Sequence, residues 1–148
     1  MLNKRFLGMM AAVAVFGVAL AGCGSDPEEG LNGTWIVEGR GMEFKIDNGR
    51  IEYYNSSDGV LFQKGAYTVD GDIITIQITQ WRLGSYPWVY SHMSENEIRE
   101  IYMDDHIVYM ALSNFEEQKF AYTVNRTTLT LERLPLEVDG YINVYTRK

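Results

Sequence analysis

A chain of 148 residues has room for one core-forming domain and little more. Its 20 acidic and 13 basic side chains leave a net charge of −7, which argues against nucleic acid as a partner and against a basic patch as a route to a membrane surface. With one cysteine, neither an internal disulfide nor a thiolate metal cluster can form.

Residues 1–22 begin with Lys4 and Arg5 and continue as an uncharged apolar run from Phe6 to Leu20. That run is short of the ~20 apolar residues a spanning helix needs and has the length of a signal-peptide core. It ends in LAGC at 20–23, which resembles the lipobox of bacterial lipoprotein signals. The resemblance implies that residues 1–22 are removed and that Cys23 becomes the N-terminus. There it would carry a diacylglyceryl thioether and an acyl chain such as palmitate, anchoring the protein to a membrane without spanning it. Residues 23–31 read as a lipidated flexible tether, and 32–148 as the domain. Gly24 and Ser25 do not supply the Asp beside Cys that resembles an inner-membrane retention signal, so the reading leans towards the outer membrane, with the domain in the periplasm or outside the cell.

From residue 34 the periodicity is two, with turn signals every several residues. TWIVE (34–38), MEFKI (42–46), RIEYY (50–54), VLFQKGAYTV (60–69) and DIITIQITQW (72–81) read as strands. DNG (47–49) and DG (70–71) supply the tight turns, because Asn and Gly accept positive φ. In the fifth strand Ile74, Ile76 and Ile78 share one face while Ile73, Thr75, Gln77 and Thr79 share the other. RLGSYPWVYSHM (82–93) reads as a long connection. Ser94 with Glu97 three residues on forms a capping box, and the spacing of Ile98, Ile101 and Tyr102 predicts a short helix over about 95–103. IVYMAL (107–112) reads as strand again. AYTVNRTTLTLE (121–132) repeats the pattern of AYTVDGDIITIQ (66–77), so both copies read as strand–turn–strand units. PLEVDG turns the chain into a last strand, YINVYT (141–146). The class is all-β: an antiparallel up-and-down meander of about eight strands with at most one short helix, which covers its apolar face and loses its open edges by closing into a barrel.

Gly33, Thr34 and Trp35 at the start of the first strand are similar to the G-x-W signature of lipocalins and the wider calycin group. In that group an Arg near the end of the last strand packs over the Trp. Arg147 stands in the matching place, with Arg133 as the second candidate. The resemblance spans about 32–148 and implies a lipocalin-like barrel in which Gly33, Trp35 and Arg147 are structural. The bulky candidates for the interior are Met42, Phe44, Tyr67, Ile74, Ile76, Tyr122, Leu129 and Leu131.

Catalytic patterns are missing. The sequence has no G-x-S-x-G elbow and no glycine-rich phosphate loop, so no catalytic residue and no cofactor are assigned. Asp104, Asp105 and His106 could offer ligands to a divalent metal, but a solvated turn is the favoured reading, since no supporting spacing accompanies them and His92 is remote in sequence. The strongest functional candidate is the unrepeated stretch: Trp81, Tyr86, Trp88, Tyr90 and His92 either receive a ligand at the barrel mouth or fold back as a lid. The leading expectation is non-enzymatic binding of a small apolar or amphipathic molecule. The alternative is an envelope module that contacts another protein, as a surface antigen or inhibitor does, with a filled barrel.

Overall fold

Among the described residues, alternating apolar and polar positions become nine antiparallel strands. The computed structural model describes residues 30–37, 39–134 and 142–148. The stretch read as a signal peptide, Cys23 and most of the stretch read as a tether lie outside the described residues, as do Glu38 and residues 135–141. In chain order the elements are β1 (Gly33–Val37), β2 (Met42–Asp47), β3 (Arg50–Asn55), β4 (Leu61–Asp70), β5 (Ile73–Trp81), β6 (Val89–Tyr90), α1 (Glu95–Tyr102), α2 (Asp105–Asn114), β7 (Gln118–Val124), β8 (Thr128–Leu134) and β9 (Ile142–Arg147). The sheet runs β4-β3-β2-β1-β9-β8-β7-β5-β6, and a further β4–β5 pairing closes eight of these strands into a ring, with the two-residue β6 added to the end of β5. Closure removes the open edges of the meander.

The inward face follows the alternation. Ile74, Ile76 and Ile78 are buried, and across the strand pairs Tyr67 faces Ile76 while Tyr122 faces Leu131. The repeated stretches form the β4–β5 and β7–β8 hairpins and lie side by side, because β5 pairs with β7 as well. Tyr122 of the second copy returns to the turn of the first, its amide donating to the Asp72 carbonyl at 2.8 Å. The first turn uses Gly71 at φ 62°. The second lacks a glycine and instead has the Asn125 carboxamide oxygen accepting from the amides of Thr127 (2.9 Å) and Thr128 (2.8 Å). At the bulge in β4, Gly65 lies so near β5 that a Cβ would collide with the Gln77 carbonyl.

The region between β5 and β7 corrects one expectation and bears out another. The capping box at the start of α1 is present, with the Glu97 carboxylate accepting from the Ser94 amide at 2.7 Å. Residues 107–112, read as strand, belong instead to α2, so two helices rather than at most one stand between β5 and β7. The physical cause is Asp104, whose carboxylate accepts from the His106 (2.9 Å) and Ile107 (3.1 Å) amides as an N-cap. Ile107 and Val108 favour strand intrinsically, but Val108 and Ala111, three apart, pack with Trp81, Val89, Ile98 and Tyr102 in a second small core. Packing of that face outweighs a propensity difference of well under 1 kcal/mol per residue.

Candidate functional site

The two ends of the barrel are built differently. Gly33, Arg147 and the turns after β2, β4 and β7 lie at one end; the β1–β2 turn, the helices and the exit of β8 lie at the other. At the first end Trp35 is fully buried, and its indole N–H donates to the Leu31 carbonyl at 2.8 Å. Arg147, its cross-strand partner, places its guanidinium carbon 4.6 Å from the Trp35 ring centroid and donates to the Gly30 carbonyl at 2.6 Å. Gly33 is the glycine over which this guanidinium passes: a Cβ there would meet Arg147 Nε at 3.4 Å. Arg133, the second candidate for this place, lines the opposite end. Leu31, the last residue of the stretch read as tether, is itself fully buried under the plug.

At the other end the interior is not filled. A cavity of about 350 Å³ opens there, within the size range of small-molecule pockets. Its wall is apolar where the inward positions of the strands meet it, at Met42, Ile76, Ile78 and Leu131. Four rings, Tyr53, Phe62, Phe120 and Tyr145, add an aromatic lining. Phe44 lies beneath them in the core, 5.4 Å from Tyr53 and edge-on to Tyr145 at 4.7 Å between centroids. Burial pushes the Tyr53 hydroxyl well above the usual phenol range, with the neighbouring Tyr145 adding to it. Burial raises Tyr145 as well, against the opposing pull of the Arg40 charge. Both hydroxyls therefore stay neutral hydrogen-bonding groups at physiological pH.

The polar lining consists of two arginines and four carboxamides: Arg40, Arg133, Gln63, Asn114, Gln118 and Asn143. Gln63 donates to Asn114 at 2.7 Å, and Asn114 donates to the Met110 carbonyl at 2.7 Å, so this pair ties the end of α2 to β4 and frames the opening. Among the described residues, Gln118 and Asn143 make no side-chain hydrogen bond and Arg40 and Arg133 make no ion pair.

None of the five aromatic and histidine residues singled out in the sequence is among those lining this cavity. Trp81 is buried in the second core, 5.5 Å from Tyr102 between ring centroids. Tyr86 is 46% exposed and leans on the same Tyr102 at 5.3 Å. The Tyr102 hydroxyl accepts from the Leu83 amide and donates to the Pro87 carbonyl, both at 3.2 Å, so α1 holds the connection in place. Trp88 is half-buried beneath Arg82, whose guanidinium carbon is 4.7 Å from the ring centroid. Tyr90 and His92 are exposed and face each other at 5.6 Å on the outer rim. Asp104 and Asp105 act as a helix cap and as a partner of Arg99, and among the described residues no group of three metal-ligating side chains converges. Of the lining residues, Met42, Ile76 and Leu131 belong to the interior expected from the alternation. Arg40, Arg133, Gln118 and Asn143 carry no local sequence signal, since strand pairing alone brings them to one opening.

No family model matches the chain, and no match is found among curated proteins. Two crystal structures are similar to it. An uncharacterized protein from Bacteroides eggerthii aligns with a TM-score of 0.50 at 16% identity, covering 80% of this chain and 99% of that one. A lipocalin-like protein from Bacteroides uniformis aligns with a TM-score of 0.49 at 14% identity over the same shares. At such identities the first likeness shows the fold alone.

Proposed function

We propose that this protein is a membrane-anchored bacterial lipoprotein that binds a small amphipathic molecule, without chemical conversion, in the open end of its lipocalin-like barrel. The observation that carries the binding part is the cavity of about 350 Å³ in a barrel otherwise filled by side chains. Eight strands enclose a space just wide enough to be filled or to hold one small ligand, and here the described side chains fill the core around Trp35 and leave a cavity towards the other end. The aromatic and aliphatic wall suits an apolar body, and the polar groups at the opening suit a head group.

The anchor rests on the lipobox resemblance at Cys23 and on the preceding apolar run. Among the described residues no helix is long and apolar enough to cross a membrane. A localisation in the cell envelope, towards the outer membrane, belongs to this same reading. Replacing Cys23→Ser should shift the protein from the membrane pellet to the soluble fraction, and retention in detergent-free membranes would refute the anchor. The binding reading is tested with naphthalenemethanol as probe in calorimetric titration. Met42→Trp, which fills the cavity, should abolish its binding while leaving the thermal unfolding transition cooperative; undiminished binding would remove the cavity from consideration.

A second reading, a docking face for another envelope protein, is favoured by the exposed Tyr86 and Tyr90 beside Trp88 and Arg82 on the rim. On that reading Tyr86→Ser with Tyr90→Ser would weaken capture of the partner and leave probe binding intact.

A further inference from the structure

The geometry points to an organic anion with a flat ring body as the class of molecule the cavity takes; this rests on the binding reading above. The first argument is charge. In a chain with 20 acidic residues, the cavity is lined by two arginines and, among the described residues, by no carboxylate. Arg40 comes from the β1–β2 turn and Arg133 from the end of β8, two separate strand connections that meet at the same opening. Neither is engaged in an ion pair with a described residue. Two guanidinium groups on the exposed rim, with donors not engaged by a described residue, can form bidentate charge-assisted bonds with a carboxylate or sulfonate whose body sits in the cavity.

The second argument is shape and lining. At the ~30 Å³ each water molecule occupies in the liquid, a cavity of about 350 Å³ accepts on the order of a dozen non-hydrogen atoms. Tyr53, Phe62, Phe120 and Tyr145 present ring faces and edges, which pair with another ring in offset or edge-on geometry. A flexible alkyl chain would bury similar area but would lose more rotational freedom and make no such ring contact. Gln118 and Asn143, whose carboxamides have no protein partner among the described residues, can bond polar substituents on the ring body.

The test uses four calorimetric titrations of the wild-type protein at low salt and a parallel set on Arg40→Gln/Arg133→Gln. The probes are naphthoate, the uncharged naphthalenemethanol, the cationic naphthylmethylamine and the ringless anion decanoate. Naphthoate should bind about tenfold or more tightly than naphthalenemethanol, the amine should bind weakest, and decanoate should fall below naphthoate. The double variant should erase the naphthoate advantage while changing naphthalenemethanol by less than about twofold, because both arginines lie on the exposed rim. Equal binding of naphthoate and naphthalenemethanol would overturn anion selection and leave the cavity reading standing. Decanoate equal to naphthoate would overturn the ring body. Failure of every probe, with Met42→Trp indistinguishable from wild type, would overturn the binding reading itself.

Discussion

The closed and the open ends of this barrel are made by the same strands and use the same alternation, yet they spend their inward positions differently. At the closed end Trp35, Phe44, Ile46, Ile51, Ile74 and Leu129 are all within 1% of complete burial, and Arg147 lies over the indole. At the open end the inward positions include Met42, Gln118, Asn143 and Arg133, residues that line space without filling it. Burial of large rings and branched chains stabilises the barrel, so one end can carry the fold while the other is free to carry a ligand. On the proposed binding reading, stability and recognition are separated along the barrel axis, and the two ends should respond differently to substitution.

The largest expected effect is at the plug. Trp35→Ala removes a fully buried indole and should lower the unfolding free energy by about 3–5 kcal/mol in denaturant titration. A loss below about 1 kcal/mol would mean that the closed end is not the stabilising one. Next, Arg147→Met removes the contact over the indole and leaves the Gly30 carbonyl without its donor, with an expected loss of about 1–3 kcal/mol. An alkaline titration probes the border between the ends. Tyr53 and Tyr145 ionise above the ordinary phenol value of 10.0 in the folded state and near it when unfolded, so their contribution is complete below pH 10 and is lost as pH rises beyond it. Each group can remove at most about 1.4 kcal/mol per pH unit in that window. Tyr53→Phe should make the alkaline decline shallower, and a decline unchanged in the variant would show that this hydroxyl is not shielded. The smallest effect on stability is expected at the rim, where Arg133→Ala should stay within about 0.5 kcal/mol of wild type. A larger loss there would break the separation of roles.

Much of the barrel's wall and core was legible in the chain. The alternation in residues 72–81 placed Ile74, Ile76 and Ile78 on one face, and those three are buried. The strand–turn–strand form of each AYTV stretch followed from its pattern, and the Ser94–Glu97 box located the first helix. The second helix was not legible because Ile107 and Val108 have strand preferences, and the decisive signal, a cap from Asp104, was hidden in a run that reads equally well as a turn. The open end was illegible for a different reason. Arg40, Arg133, Gln118 and Asn143 are ordinary polar residues in sequence, and only the order β2-β1-β9-β8-β7 brings them around one space. The aromatic stretch 81–92 drew attention through composition, but composition does not say which side of a wall a ring faces. Tyr102 ties this stretch at Leu83 and Pro87, and Trp81 packs in the second core rather than on the cavity wall.

The seam between β1 and β9 has a kinetic meaning. The Arg147–Gly30 bond joins groups 117 residues apart, and the pairing of Trp35 with Arg147 spans nearly the same interval. Ordering a loop of that length before its ends can bond is entropically costly, so the ring should close late, after the hairpins have formed. Until then β1 and β9 are bare sheet edges able to capture a strand from another chain. A folding chain held open at this seam would be the species most exposed to misassembly, and the speed with which Arg147 finds Trp35 sets how long that exposure lasts.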